Sequence, residues 1–158
     1  MTYQTFTSAQ DIFDHVAPLL YAQGQRSMFY HEGAEEWQCA YRGGDNGNLR
    51  CAVGFILPDE LYRGHLEGLG VEGEEMREVL KDIIPLEDRH QREHIFQFLG
   101  NLQDIHDSWI IRDENKLIID EPEPAVMRAR LLSNLTKLAL RFELNTKVLD
   151  TLTDGASA

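Results

Sequence analysis

Residues 37–57 read WQCAYRGGDNGNLRCAVGFIL, and this run bears most directly on the fold class. Trp37, Cys39 and Tyr41 alternate with polar or small neighbours. A glycine- and asparagine-rich stretch, 43–48, follows, and then Leu49, Cys51, Val53, Phe55 and Leu57 alternate again. Strand side chains point to opposite faces with a period of two, so the pattern predicts a β-hairpin over about 38–57. If the loop is 43–47, Cys39 faces Cys51; if it is one residue longer, Ala52 stands there instead. Gly47 supplies the positive φ of a bulged loop, which favours the first register.

On the N-terminal side, Ser8 followed three residues later by Asp11 resembles a capping box. Ile12, Phe13, Val16, Leu19 and Leu20 then recur at helical spacing up to Gly24, which predicts a helix over about 9–23. Pro18 lies inside it and removes one hydrogen bond, so a kink or an early end is expected there. On the C-terminal side, Pro58 ends the strand, and a short helical turn and a stretch punctuated by Gly64, Gly68, Gly70 and Gly73 come next. A helix over about 74–84 places Met76, Val79, Leu80 and Ile83 inward, and Pro85 breaks it. A longer one over about 87–107 carries Ile95, Phe98, Leu99, Leu102, Ile105 and His106 on one stripe. Residues 109–119 are β-rich on both sides of a polar turn and read as a second small hairpin. After the stiff connector 121–124, Leu131, Leu135, Leu138 and Phe142 mark the last long helix. Asn145 is read as its cap and Thr146 as the start of a short terminal turn. The expected architecture is α+β, predominantly helical: one globular domain over 1–153, its central hairpin packed on long helices, and a frayed tail over 154–158.

Of the 158 residues 42% are hydrophobic and 27% charged, the balance of a chain that folds and not of a disordered one. The N-terminus lacks the cationic start and apolar run of a signal peptide, and no stretch approaches the roughly 20 apolar residues that cross a bilayer. With only two cysteines, a reducing cytoplasm is the expected compartment. The formal net charge of -12 repels nucleic acid and anionic lipid, so neither is an expected partner. Acids concentrate in 59–82 and bases in 128–147. These regions could attract each other within one molecule or between copies, which leaves a homo-oligomer open, or they are two solvated faces that never meet.

The string over 39–62, CAYRGGDNGNLRCAVGFILPDELY, together with LQDIHDSW at 102–109, resembles small uncharacterised proteins of bacterial and phage genomes. The resemblance implies a bacterial or phage source and carries no activity and no site residues with it.

Three kinds of chemistry can be weighed. Cys39 and Cys51 on adjacent strands, with His90 and His94 four apart on one helix face, have the donor types of a zinc site. Their spacing is not that of a zinc knuckle, and the alternative is that the thiols are small core hydrophobes and the imidazoles are solvated. Secondly, Cys51 as nucleophile with His106 as base would make a thiol-dependent hydrolase. Asp107, however, points to a different helix face from His106 and cannot orient that imidazole. The third kind is recognition without catalysis. An acidic domain with aromatics at Phe29, Tyr30 and Trp37 and no assembled catalytic set suits a regulatory or phage–host protein that binds another protein, one with a basic surface. The same aromatics equally suit a core cover. Binding is the reading the sequence favours, because no reaction geometry can be built from these residues.

Overall fold

The structure, a computed structural model, describes residues 3–107 and 123–156. Helix α1, Ala9–Gln23, begins as the capping box requires: the Asp11 N–H donates to Ser8 Oγ at 3.0 Å, while Asp11 Oδ2 accepts from the Thr7 N–H and hydroxyl. Desolvation works against the Asp11 carboxylate, but the bonds from Thr7 and Ser8 outweigh it and hold its pKa below the ordinary value. Gly24 ends the helix in the left-handed region at φ 63°, its N–H donating to the Leu20 carbonyl. Pro18 does not end α1 early; the helix runs five residues past it. The apolar face, Ile12, Phe13, Val16, Ala17 and Leu20, is fully buried and packs against the helices that close the chain.

The chain's hairpin lies earlier than the alternation places it. Strand β1, Met28–His31, pairs antiparallel with β2, Glu36–Cys39, in the register Met28↔Cys39 to His31↔Glu36. The residues that link them, 32–35, are charged or small, with Glu35 at φ 53°, and offer no Asn-Gly or Asp-Gly signal. Among the described residues from 40 onward, strand pairing shrinks to one bridge, Gly43↔Leu49. This corrects the expected hairpin over 38–57 and its register. Pairing Cys39 with Cys51 would set Gly43 against Gly47, two residues away from the bridge that forms. The second half of the expected strand winds instead into a 3-10 turn, Val53–Phe55. Cys51, Ala52, Val53, Gly54, Ile56 and Leu57 are all buried, so the core surrounds this segment on every side. A continuous apolar run of that kind satisfies a buried turn as well as a strand, and periodicity cannot separate the two.

Helix α2, Glu74–Leu80, stops short of its predicted end, and Ile83 and Ile84 follow it into the core. Helix α3, Arg89–Asp107, buries Ile95, Phe96, Phe98, Leu99, Leu102 and His106, with Ile105 partly covered. Helix α4, Pro124–Arg141, lies against α3 and α1 through Met127, Leu131, Leu135 and Leu138. It ends through Glu143 in the left-handed region at φ 55°, where Leu144 N–H reaches back to the Ala139 carbonyl at 2.8 Å. Asn145 therefore does not cap α4. Its Oδ1 accepts the Lys147 N–H at 2.7 Å and so opens α5, Lys147–Ala156, which is longer than a terminal turn. Gln10 and Asn145 also exchange two hydrogen bonds, Asn145 N–H to Gln10 Oε1 at 2.8 Å and Gln10 Nε2 to the Asn145 carbonyl at 3.1 Å, which join the start of α1 to the α4–α5 junction. Apart from Met28 and Ala40, the buried apolar side chains form one cluster, and the architecture is mainly helical α+β with a small two-stranded sheet among the described residues. Among the described residues no helix is long and apolar enough to cross a membrane. The second small hairpin expected over 109–119 lies outside the described residues.

Candidate functional site

Cys39 leaves the end of β2 and Cys51 precedes the 3-10 turn; the two are not joined in a disulfide. Both line one cleft of about 310 Å³, with Tyr41, Gln103 and the glycine-rich 68–71 stretch around it. Two side chains fix its walls. The Tyr41 hydroxyl donates to the Leu69 carbonyl, and Gln103 Oε1 accepts the Val53 N–H at 3.3 Å. Cys51 is 1% exposed, and its Sγ accepts the Gly54 N–H at 3.3 Å, the position a serine or aspartate takes when it caps a helix. Cys39 is partly exposed, with its Sγ 3.5 Å from Met28 Sδ.

Below this cleft, Arg42 and Glu67 tie the irregular segment 41–67 together. The Arg42 guanidinium donates to the carbonyls of Tyr41 at 3.1 Å, Gly54 at 3.0 Å and Leu57 at 2.6 Å, and to Asp59 Oδ1 at 2.9 Å. Glu67 accepts the N–H groups of Tyr41 and Arg42 and the Tyr62 hydroxyl, all within 3.0 Å. Burial first, and then the Glu67 carboxylate, push the Tyr62 phenol up from its ordinary range. Sequence reasoning misses this network because four of its bonds join side chains to backbone atoms 12 to 26 residues away, and no spacing rule encodes them.

The zinc quartet is not assembled. His90 and His94 line a different cleft, of about 620 Å³, with Ser8, Gln10 and Glu143, and the His94 ring packs on Phe142. Gln103, at the thiol cleft, lies 9 residues beyond His94 on α3, about 13 Å along the axis at the usual rise per residue. Among the described residues no three His, Cys, Asp or Glu side chains stand where they could hold one metal ion. Measured against known protein families, curated proteins and solved structures, the chain matches none.

His106 is fully buried, and its Nε2 accepts the Ser27 N–H at 3.2 Å. That bond occupies the lone pair a general base would use, so the pairing with Cys51 expected of a hydrolase has no base in this geometry. The imidazole serves as a core acceptor that joins α3 to the residue before β1. Of Asp107, the expected orienter, only the backbone is described, at the end of α3. Ser27 presents an opposite case: its Oγ is buried beside Gly43 without a hydrogen-bond partner among the described residues. Ser27→Ala removes a desolvated hydroxyl and leaves the backbone N–H that His106 needs. Its expected stability is unchanged to about 1 kcal/mol higher by thermal melting, and a clear loss would show that the hydroxyl is bonded.

Among the described residues no ion pair joins the acids of 59–82 to the bases of 128–147. Asp59 pairs with Arg42 and lies near Arg50, Glu75 pairs with His65, and Glu78 with Lys81. In the basic region, Arg128 donates to the Tyr21 and Ala22 carbonyls, and Arg141 to Asn101 Oδ1. Glu72, Glu74, Glu75, Glu78 and Asp82 are all exposed along α2 and its flanks.

Proposed function

We propose that the chain works by binding another protein, one with a basic surface, through the carboxylate ridge of α2. The observation that supports this reading is the ridge itself. Glu72, Glu74, Glu75, Glu78 and Asp82 are exposed, and the groups that face Glu75 and Glu78, the His65 imidazole and the Lys81 ammonium, are exposed with them. Exposed pairs of that kind contribute little and are readily exchanged for a partner's cations. The chain's net charge of -12 steers a basic surface towards it and disfavours nucleic acid. The setting that fits two thiols outside any disulfide is a reducing cytoplasm, in a bacterial or phage-infected cell as the resemblance at 39–62 implies.

The test compares immobilised wild-type chain with a Glu72→Gln, Glu74→Gln, Glu75→Gln, Asp82→Asn variant, using extract from the source cell. Wild type is expected to retain a basic protein at low ionic strength, with retention falling as salt is raised, and the neutralised variant is expected to lose it. Since all four positions are exposed, melting should stay within about 0.5 kcal/mol of wild type. Retention that ignores both salt and neutralisation, or no retained protein, overturns the reading.

A further inference from the structure

We propose that the outer face of α4 is a docking surface for a second copy of this chain, which lays its own acidic α2 ridge along it. The inference rests on that ridge as a recognition surface and adds what it meets. Residues three and four apart share a helix face. On α4, Val126, Arg130, Ser133, Lys137 and Leu140 follow that spacing in one stripe, and all five are exposed. The inner stripe, Met127, Leu131, Leu135 and Leu138, is the one the core covers. Val126 is 44% exposed and Leu140 73%, so a large apolar side chain stands in water at each end of the outer stripe, with two cations between them.

The charges of stripe and ridge are complementary, and so is their spacing. Arg130 and Lys137 stand two turns apart, about 10 Å along the axis at the usual rise per residue. On the ridge, Glu75, Glu78 and Asp82 repeat the intervals of Arg130, Ser133 and Lys137. The helical path runs on past α2, since Lys81 keeps helical angles and the Ile84 N–H bonds back to the Leu80 carbonyl at 2.8 Å, so these three acids also share one face. Within one molecule the two surfaces do not meet: α2 is tied to α3 through Arg77 and Glu93, and α4 through Arg141 and Asn101, and among the described residues no ion pair joins α2 to α4. A partner that carries a matching ridge is present wherever this chain is, namely another copy.

The net charge of -12 on each copy opposes association at long range. At physiological ionic strength that repulsion is screened beyond about 8 Å, whereas carboxylates within a few ångströms of the α4 cations keep their attraction. Val126 and Leu140 leave water in the same contact, which adds an attraction that salt does not weaken. One ridge on one stripe is a head-to-tail contact, which leaves a free ridge on one copy and a free stripe on the other. A stripe of five side chains offers less than the roughly 800 Å² per partner of a standard interface, so the assembly is weak and depends on concentration.

The experiment follows the mass of full-length chain by sedimentation velocity over a concentration series, at about 0.1 M and about 1 M salt, between which the Debye length falls from about 10 to about 3 Å. Wild type is expected to exceed the monomer mass as concentration rises at low salt, and to return towards the monomer at high salt. Two variants separate the faces. Glu72→Gln, Glu74→Gln, Glu75→Gln, Asp82→Asn removes the ridge and keeps the stripe; Arg130→Glu, Lys137→Glu, Leu140→Gln removes the stripe and keeps the ridge. All these positions are exposed, so both variants should melt with wild type. Each alone should be monomeric, and an equimolar mixture should form a dimer and nothing larger, because each supplies one working face. Wild type that is monomeric throughout, association that survives either variant, or a mixture that stays monomeric overturns the proposal. If wild type is monomeric yet retains a basic protein from extract that the ridge variant loses, the second copy is wrong and the ridge reading stands. An acidic protein retained through Arg130 and Lys137 by a monomeric wild type likewise puts another occupant in the second copy's place.

Discussion

Replacing Gly54 with alanine should destabilise the protein by about 3 kcal/mol, read as a lower denaturant midpoint at unchanged slope. A Cβ built on Gly54 falls onto the backbone carbonyl oxygen of Tyr41, closer than real Cβ atoms approach any heavy atom. Neither side can give way cheaply. The Gly54 carbonyl is held by Arg42 at 3.0 Å and its N–H by Cys51, while the Tyr41 carbonyl takes the same Arg42 nitrogen and its N–H is bound by Glu67. Gly64→Ala is the matched control. A Cβ there meets nothing within 4 Å, so its expected change is within about 0.5 kcal/mol. Equal effects at the two glycines would show that the close approach is not what limits position 54.

Arg42→Ala should cost about as much, on the order of 3 kcal/mol, because it strips the donors from carbonyls in the interior of the 41–57 segment. The Arg42 side chain is only 8% exposed, whereas its ion-pair partner Asp59 is 79% exposed. Asp59→Ala should therefore cost less than about 1 kcal/mol, and the difference between the two variants assigns the effect to the carbonyls of Tyr41, Gly54 and Leu57. Arg42→Lys should recover only part of it, since one ammonium cannot span acceptors that the planar guanidinium reaches on several sides. If Asp59→Ala matches Arg42→Ala in a melt, the bond to Asp59 carries the energy and this assignment fails.

Where a local signal was complete, the sequence was a reliable guide to the fold. Ser8 with Asp11 at one end and Gly24 at the other delimit α1 because both caps depend on residues within the helix's own turns. The α3 stripe, His106 included, is legible for a similar reason: burial of one face imposes the helical period on the sequence. Residues 51–57 mislead because every position there but the partly covered Phe55 is buried, which erases the alternation that would separate strand from turn. The alternation at Trp37 and Cys39 marks β2 but not its partner β1, because the turn between them rests on Glu35 in a left-handed conformation that no glycine or asparagine marks. The end of α4 escaped in the same way, through Glu143.

The candidate site was half legible. Cys39 and Cys51 do share a cleft, as their positions on either side of a glycine-rich loop imply, but the imidazoles needed to complete a zinc set lie about three turns of α3 away. The role of His106 could not be read from spacing, because its partner is a backbone N–H 79 residues earlier. Arg42 and Glu67 are likewise recognisable only once the backbone is in place, since they bind atoms that every residue possesses.

The reciprocal amide pair between Gln10 and Asn145 closes a span of 135 residues. During synthesis α1 is made about a hundred residues before α4 and α5, the helices that pack on it, and its face carries Phe13, Val16 and Leu20. The nascent chain thus carries an uncovered oily stripe over that interval, which lasts several seconds at ordinary elongation speeds of about 5–20 residues per second. Chaperone occupancy on stalled ribosomes should accordingly persist until α4 has cleared the exit tunnel and fall once α5 follows.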